Sequence, residues 1–144
     1  MRKGRTRRKE DELLWRTVEI QAVLPSVSLH PDIQRGEEPS IESSSWLEVQ
    51  GQLDSPVKDV SDVRISVHPE EPLRVGSARP VAVGAIIGTH DVVSAVVALL
   101  PADFDRLWVP ALSGQLKYAS MTFTKPKYGS ALVVNTSFSS AREE

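Results

Sequence analysis

Residues 81–112 read VAVGAIIGTHDVVSAVVALLPADFDRLWVPAL, and this stretch decides the fold. Its first twenty residues are the most apolar part of the chain and are long enough to span a bilayer. A Gly-Thr-His-Asp cluster at 88–91 interrupts them, and a buried Asp there would cost about 2.5–3.5 kcal/mol even on a lenient scale. Such a cluster between two β-branched runs is typical of a turn. We therefore predict two strands, over 81–87 and 91–100, and no membrane span.

The second of these strands is apolar on both faces, with Ser94 as its only polar side chain, so both faces need cover. The residues that follow predict this cover as a short amphipathic helix over 101–112. Pro101 suits the start of the helix and Gly114 its C-terminal cap, whereas Pro110 predicts a kink or a stop. The stripe that would face the sheet consists of Phe104, Leu107, Trp108, Ala111 and Leu112.

Five further segments alternate between apolar and polar residues, which predicts half-buried strands. They are residues 15–24, 46–53, 60–67, 115–124 and 131–139. Gly51 falls at a core-facing position and indicates a bulge or a close neighbour. In the last strand we expect Leu132, Val134 and Phe138 to point inward. About seven closely spaced strands with one late helix predict a mainly β fold, an antiparallel sandwich or a flattened barrel.

The domain organisation follows from where this periodicity is missing. Residues 1–12 show none and are predicted to be a disordered basic arm in front of a single β domain over 13–144. Residues 25–45 are rich in Pro, Ser and acidic residues and are predicted to form a long loop, either disordered or a docking segment. The alternative is a short edge strand, for which Val27, Leu29 and Ile33 leave room.

Composition narrows the possible classes. The chain has 144 residues, enough for one domain with a sizeable core, and no cysteine, which excludes disulfides and thiolate chemistry. The basic N-terminus lacks the apolar run of a signal peptide, so we expect a cytoplasmic protein. The net charge of −2 is unevenly distributed, because residues 1–12 carry a net charge of +3 and the rest of the chain −5.

The first functional hypothesis is a non-catalytic binding or assembly module. It would dock on a partner protein, or on itself, through a sheet edge and the 25–45 segment. Trp46 is expected to point outward beside this segment, where an exposed Trp is a good interface anchor, and Ile41 and Ile33 would accompany it. The alternative is that the segment, or Trp15, folds over Trp46.

The second hypothesis is a nucleic-acid-associated accessory protein. Its basic arm would neutralise phosphates through Arg2, Lys3, Arg5, Arg7, Arg8 and Lys9. In the last hairpin, Lys117, Lys125 and Lys127 alternate with aromatic residues, as in proteins that bind single strands. The simpler interpretations are a solvated tail, aromatic residues in the core, and lysines that protect a sheet edge.

The third hypothesis is a small metal-dependent enzyme. Each of the three histidines lies near a carboxylate at a predicted strand end, a pattern related to the facial triad of non-haem iron sites. The candidate ligands are His30, Asp32, His68, Glu70 and His90. Adjacent prolines make turns the simpler explanation. No nucleophile elbow, phosphate loop or dinucleotide fingerprint is present, so we expect a non-catalytic protein without a cofactor.

Overall fold

The computed structural model describes residues 12–32, 38, 40–70, 73–74 and 80–142. Seven of its strands close into a barrel in the order β1-β2-β3-β7-β6-β9-β8, while β4 and β5 form a separate pair. This confirms the mainly β fold with one late helix and, of the two predicted architectures, selects the barrel. The elements are β1 (Leu13–Asp32), β2 (Ser40–Val57), β3 (Val60–Pro69), β4 (Leu73–Arg74), β5 (Pro80–Ala82), β6 (Gly84–Gly88), β7 (Val93–Leu99), α1 (Pro101–Leu112), β8 (Tyr118–Thr124) and β9 (Ala131–Ser139).

The barrel departs from the antiparallel prediction at one pair of strands, because β3 and β7 run parallel. The other six neighbouring pairs are antiparallel. A closed ring of seven strands cannot alternate direction all the way round, so at least one neighbouring pair must be parallel. Parallel neighbours need a long crossover, and the chain supplies it between β3 and β7, through β4, β5 and β6.

The helix α1 has the predicted bounds and closes the end of the barrel at which β7 finishes. Phe104 is 2% exposed and belongs to the core cluster, as does Ala111. Of the kink or stop predicted at Pro110, the stop does not occur, since the helix continues to Leu112. Only one partial turn follows the proline, so little helical hydrogen bonding depends on it. As predicted, Gly114 ends the helix in a left-handed conformation, with φ +76°.

The predicted cover of β7 is only partly right. Its inward residues Val93, Ala95 and Val97 are buried, but Val96 and Ala98 on the outer face are half-buried. The helix does not lie over that face, because it packs mainly against β1 and β3.

An irregularity in β1 changes which side chains face the core. The register with β2 shifts between Ile20 and Ala22, so even-numbered residues point inward before this bulge and odd-numbered ones after it. Gly51 pairs with Ile20, and a Cβ atom there would overlap the carbonyl oxygen of Glu19. The predicted bulge or close neighbour at Gly51 is therefore confirmed.

A second shift corrects the orientation of β9. Thr122 pairs with Asn135 and Phe123 with Val133, so Val134 is skipped. As a result Val133 is buried and Leu132 is 40% exposed, opposite to the prediction that Leu132 points inward.

The predicted loop at 25–45 is wrong for most of its length. Residues 25–32 and 40–45 are strand, in β1 and β2 respectively, and residues 33–37 and 39 lie outside the described part of the chain. Pro25 and Pro31 are tolerated because each lies in a strand with one unpaired edge. The predicted disordered arm also lies outside the described residues, except for Glu12.

Candidate binding surfaces

A two-stranded ribbon extends beyond the end of the barrel that α1 closes. We define the ribbon as residues 25–32 of β1 and 40–46 of β2, which pair from Ser26 with Trp46 to Asp32 with Ser40. Pairing of β1 with β8 covers only residues 13–19, and pairing of β2 with β3 begins at Leu47. Within the described chain, both outer edges of the ribbon therefore lack a neighbouring strand.

The ribbon has one apolar face, which continues the inner face of the barrel. Cross-strand partners share a face, so Leu47 and Val49 in the barrel lie on the same side as Val27, Leu29 and Ile41 in the ribbon. The last three are 64%, 70% and 78% exposed, and we call them the apolar ribbon face. Inside the barrel this side is core, whereas in the ribbon no described residue covers it.

The opposite face of the ribbon is polar. It carries Ser26, Ser28 and Ser44, together with His30, whose Nε2 atom lies 3.4 Å from Oε2 of Glu42. Both members of this pair are more than half exposed, which limits such a contact to at most about 1 kcal/mol. The ribbon thus has one apolar face and one polar face, as a sheet does when it packs against another surface on one side only.

Trp46 points outward at the base of the ribbon, as the first hypothesis expected, but it is half-buried. Its ring stacks on that of His68, with centroids 6.2 Å apart and planes at 19°. Trp46 and Ile41 lie on opposite faces of β2, so they do not form one continuous surface. Ile33, the third expected partner-binding residue, lies outside the described chain.

Next to Trp46, β2 and β3 carry a polar network on the outside of the barrel. Oγ of Ser66 lies 2.7 Å from Nε2 of His68, and Nε of Arg64 lies 3.2 Å from Oε1 of Glu48. A hydroxyl beside an imidazole is the pairing of a serine nucleophile with its base. However, neither Ser66 nor His68 lines any of four grooves found on the described part of the chain.

A groove of about 620 Å³ lies at the other end of the barrel, between β6 and the hairpin that joins β8 to β9. The shift in β9 turns Leu132 outward, and a further shift in β6 leaves Ile87 unpaired and 63% exposed. The groove wall is therefore apolar, with lysines at its rim. It is lined by Ala85, Ile86, Ile87, Thr124, Lys125, Lys127, Ser130, Ala131 and Leu132.

The predicted nucleic-acid-binding residues are divided between the two ends of the barrel. Lys125 and Lys127 lie at the groove, and the backbone N–H of Lys125 donates to the carbonyl of Glu12 at 3.3 Å. Glu12 therefore lies at this end of the barrel, and the basic residues 2–9, which precede it in the sequence, lie outside the described chain. Lys117 precedes β8, at the opposite end and about 25 Å away along the strand. The aromatic Phe123 is fully buried, so it offers no stacking platform.

The candidate metal ligands do not converge. His30 lies in the ribbon, His68 lies near the end of β3, and His90 follows β6 at the far end of the barrel. The backbone N–H of Glu70 donates to the carbonyl of Leu99, and Asp32 pairs with Ser40 in the ribbon. In the described chain no three His, Asp or Glu residues form a group that could hold a metal ion.

The chain matches no protein-family model, and no curated protein or solved structure is significantly similar to it. Among the described residues, no helix is both long enough and apolar enough to cross a membrane.

Proposed function

We propose that this protein is a non-catalytic binding or assembly module that docks on a protein partner through the ribbon. The observation that supports this most strongly is the apolar ribbon face, on which Val27, Leu29 and Ile41 are all more than 60% exposed. Isolated exposed apolar residues are ordinary, but a contiguous apolar patch is typical of an interaction site.

The free edges of the ribbon provide a second means of attachment. An unpaired strand edge presents backbone N–H and C=O groups that an extended segment of a partner can pair with. In such complexes the backbone gives affinity, and side chains on alternate positions give specificity. The apolar ribbon face supplies that specificity here, because Val27 and Leu29 alternate along β1 and Ile41 lies on the same side of β2, where Ser43 and Ser45 share the face.

A site-specific photo-crosslinker tests this proposal. It is placed at residue 41 on the apolar ribbon face and, as a matched control, at residue 42 on the polar face of the same strand. After irradiation in the source cells, we expect protein adducts from residue 41 and at least about tenfold fewer from residue 42, since contact falls off across the ribbon. Equal yields, or no adduct from residue 41, would contradict the proposal.

A second candidate function, binding of nucleic acid, is favoured by the contact between Lys125 and Glu12. This hydrogen bond puts Glu12, the last residue of the predicted arm, at the end of the barrel that carries Lys125 and Lys127. Binding of this kind releases counterions, so its affinity falls steeply with salt. Labelled DNA and RNA titrated across a salt series, with the full chain and with a chain starting at Leu13, would test it. Binding that survives removal of residues 1–12 would contradict a role for the arm.

A further inference from the structure

We infer that the groove end of the barrel binds a single strand of nucleic acid. The bases of this strand stack on Tyr128 and lie against the apolar wall of the groove, and its phosphates meet the basic groups at the rim. The inference does not involve the ribbon. It rests on the second candidate function, and it specifies the kind of nucleic acid and the side chains that contact it.

Tyr128 lies at the tip of the hairpin between β8 and β9, and its side chain is fully exposed. Its relative exposure is 107%, whereas Phe123 in the same hairpin is 0% exposed. The backbone N–H groups of Lys127 and Ser130 each donate to the other residue's carbonyl, at 2.9 and 3.0 Å. The two residues between them therefore form a tight, hydrogen-bonded turn that holds the ring of Tyr128 out in solvent.

The conformation of this turn does not favour a tyrosine. Tyr128 has φ +53° and Gly129 has φ +79°. Two-residue hairpin turns with two positive φ angles prefer Asn, Asp or Gly at the first position, because a larger side chain is strained there. The stability of the fold therefore does not account for the aromatic ring. Strained residues of this kind cluster at functional sites, including those that hold ligands.

The surface beside Tyr128 has the other components of a single-strand site. Ile87 and Leu132 in the groove wall are 63% and 40% exposed, which gives an apolar surface for a base. Lys125 is exposed at the rim, and none of the described residues that line the groove is acidic. Lys127 also lines the groove but makes a contact of its own, so we assign the phosphate contact to Lys125.

The chain that reaches this end of the barrel is rich in basic residues. Glu12, whose carbonyl accepts a hydrogen bond from Lys125, follows six basic residues at positions 2–9 in the sequence. Carboxylates are present as well, at positions 10–12 and at Asp91, but residues 1–12 still carry a net charge of +3. A polyanion is the ligand that complements this excess of positive charge.

The exposed ring and the concave groove favour a single strand over a duplex or a membrane. In a duplex the bases are stacked on one another, so their faces do not reach a protein side chain. Every base of a single strand offers a face, and stacking on aromatic side chains beside a cationic groove is how proteins bind such strands. A flat membrane surface would leave the concave groove unfilled.

Fluorescence anisotropy of the full chain with a labelled thymidine strand of about 12 nucleotides tests the inference. Tyr128→Asn removes the ring but supplies a residue that the turn prefers, and Tyr128→Phe is its control because the ring remains. Lys125→Ala removes the cation at the rim, and Lys117→Ala, an exposed lysine before the opposite end of β8, is its control.

Three further ligands are titrated beside the thymidine strand. An abasic strand of the same length keeps the phosphates and lacks the bases, and a duplex keeps the bases but hides their faces. A uridine strand of the same length distinguishes RNA from DNA as the preferred ligand.

We expect the wild-type chain to bind the thymidine strand more tightly than the abasic strand or the duplex. Tyr128→Asn should weaken binding of the thymidine strand at least about fivefold, the lower end of what stacking of one base contributes. It should leave binding of the abasic strand unchanged, and its melting temperature should equal or exceed that of the wild type. Tyr128→Phe should bind as the wild type does.

The lysine variants test the phosphate contact. Lys125→Ala should reduce the slope of log affinity against log salt concentration by about 0.7, as expected when one contact to a single-strand phosphate is lost. Lys117→Ala should leave this slope unchanged.

Three results would overturn the inference. These are equal affinity for the thymidine strand and the duplex, equal affinity of the wild type and Tyr128→Asn for the thymidine strand, and binding to vesicles of phosphatidylcholine and phosphatidylserine without binding to any strand. If either of the first two occurs while binding still depends on salt and on residues 1–12, the second candidate function holds and only this inference fails. If neither strands nor duplex bind at low salt, both fail.

Discussion

One face of strands β1 and β2 is buried in the barrel and exposed in the ribbon. In the barrel, Leu47 and Val49 of β2 are buried and hold the sheet closed around the core. In the ribbon, Leu29 and Ile41 lie on the same face and are largely exposed. The comparison teaches that a continuous apolar face need not serve one purpose: the part enclosed by neighbouring strands stabilises the fold, and the part beyond them is available for binding.

The largest expected effect comes from a substitution in the core of the barrel. Phe104→Ala removes a 2% exposed ring from the end of the core and should lower the free energy of unfolding by about 3–5 kcal/mol. Val109→Ala, on the same helix but 70% exposed, should change it by no more than about 0.5 kcal/mol. Urea denaturation of both variants measures the difference, and equal losses would mean that α1 does not close the barrel.

The next effect tests the bulge in β1, after which odd-numbered rather than even-numbered residues lie on the apolar face. Gly51→Ala would place a Cβ atom against the carbonyl oxygen of Glu19 and should cost about 1–3 kcal/mol. Gly88→Ala is its control, because nothing lies within 4 Å of the added atom. Thermal melts compare the two variants. A Gly51→Ala protein as stable as the Gly88→Ala protein would contradict the close approach of β1 and β2 at this point.

A smaller effect on stability is expected from the buried hydroxyl of Thr17 in the barrel wall. Thr17 is 4% exposed, and its hydroxyl has no hydrogen-bond partner among the residues that the structure describes, so it is desolvated without compensation. Thr17→Val should therefore leave stability unchanged or raise it by about 1 kcal/mol, and Thr17→Ser should lower it slightly through lost packing. Chemical denaturation decides the sign. A loss above about 1 kcal/mol in Thr17→Val would show that the hydroxyl has a partner.

Short-range sequence patterns predicted the helix and the strands that are determined by residues close together in the chain. The helix at Pro101–Leu112 follows from its apolar periodicity and from Gly114, and the strand at Ala131–Ser139 follows from its alternation. The shifts in β1 and β9 depend on how a distant strand pairs, so the alternation alone gave the wrong direction for Leu132. The parallel pair of β3 and β7 follows from closing seven strands, which no single segment reveals.

The candidate surfaces were predictable only in part. Ile41, Lys125 and Lys127 were named from the sequence, and Val27 with Leu29 suggested an edge strand. The Pro- and Ser-rich composition of the ribbon resembled that of a loop, because the hydrogen bonds that order it come from pairing between β1 and β2. The groove was not predictable, since Ile87 and Leu132 come together only through the pairing of β6 with β9.

The most direct test of this difference in burial is to truncate the same residue type in the barrel and in the ribbon. Leu47→Ala and Leu29→Ala remove the same atoms from the same face, at positions that are 0% and 70% exposed. By urea unfolding of monomeric protein, we expect Leu47→Ala to lose about 2–5 kcal/mol and Leu29→Ala to change by less than about 0.5 kcal/mol. A loss at Leu29 comparable to that at Leu47 would contradict the account, because the ribbon face would then be packed within the fold.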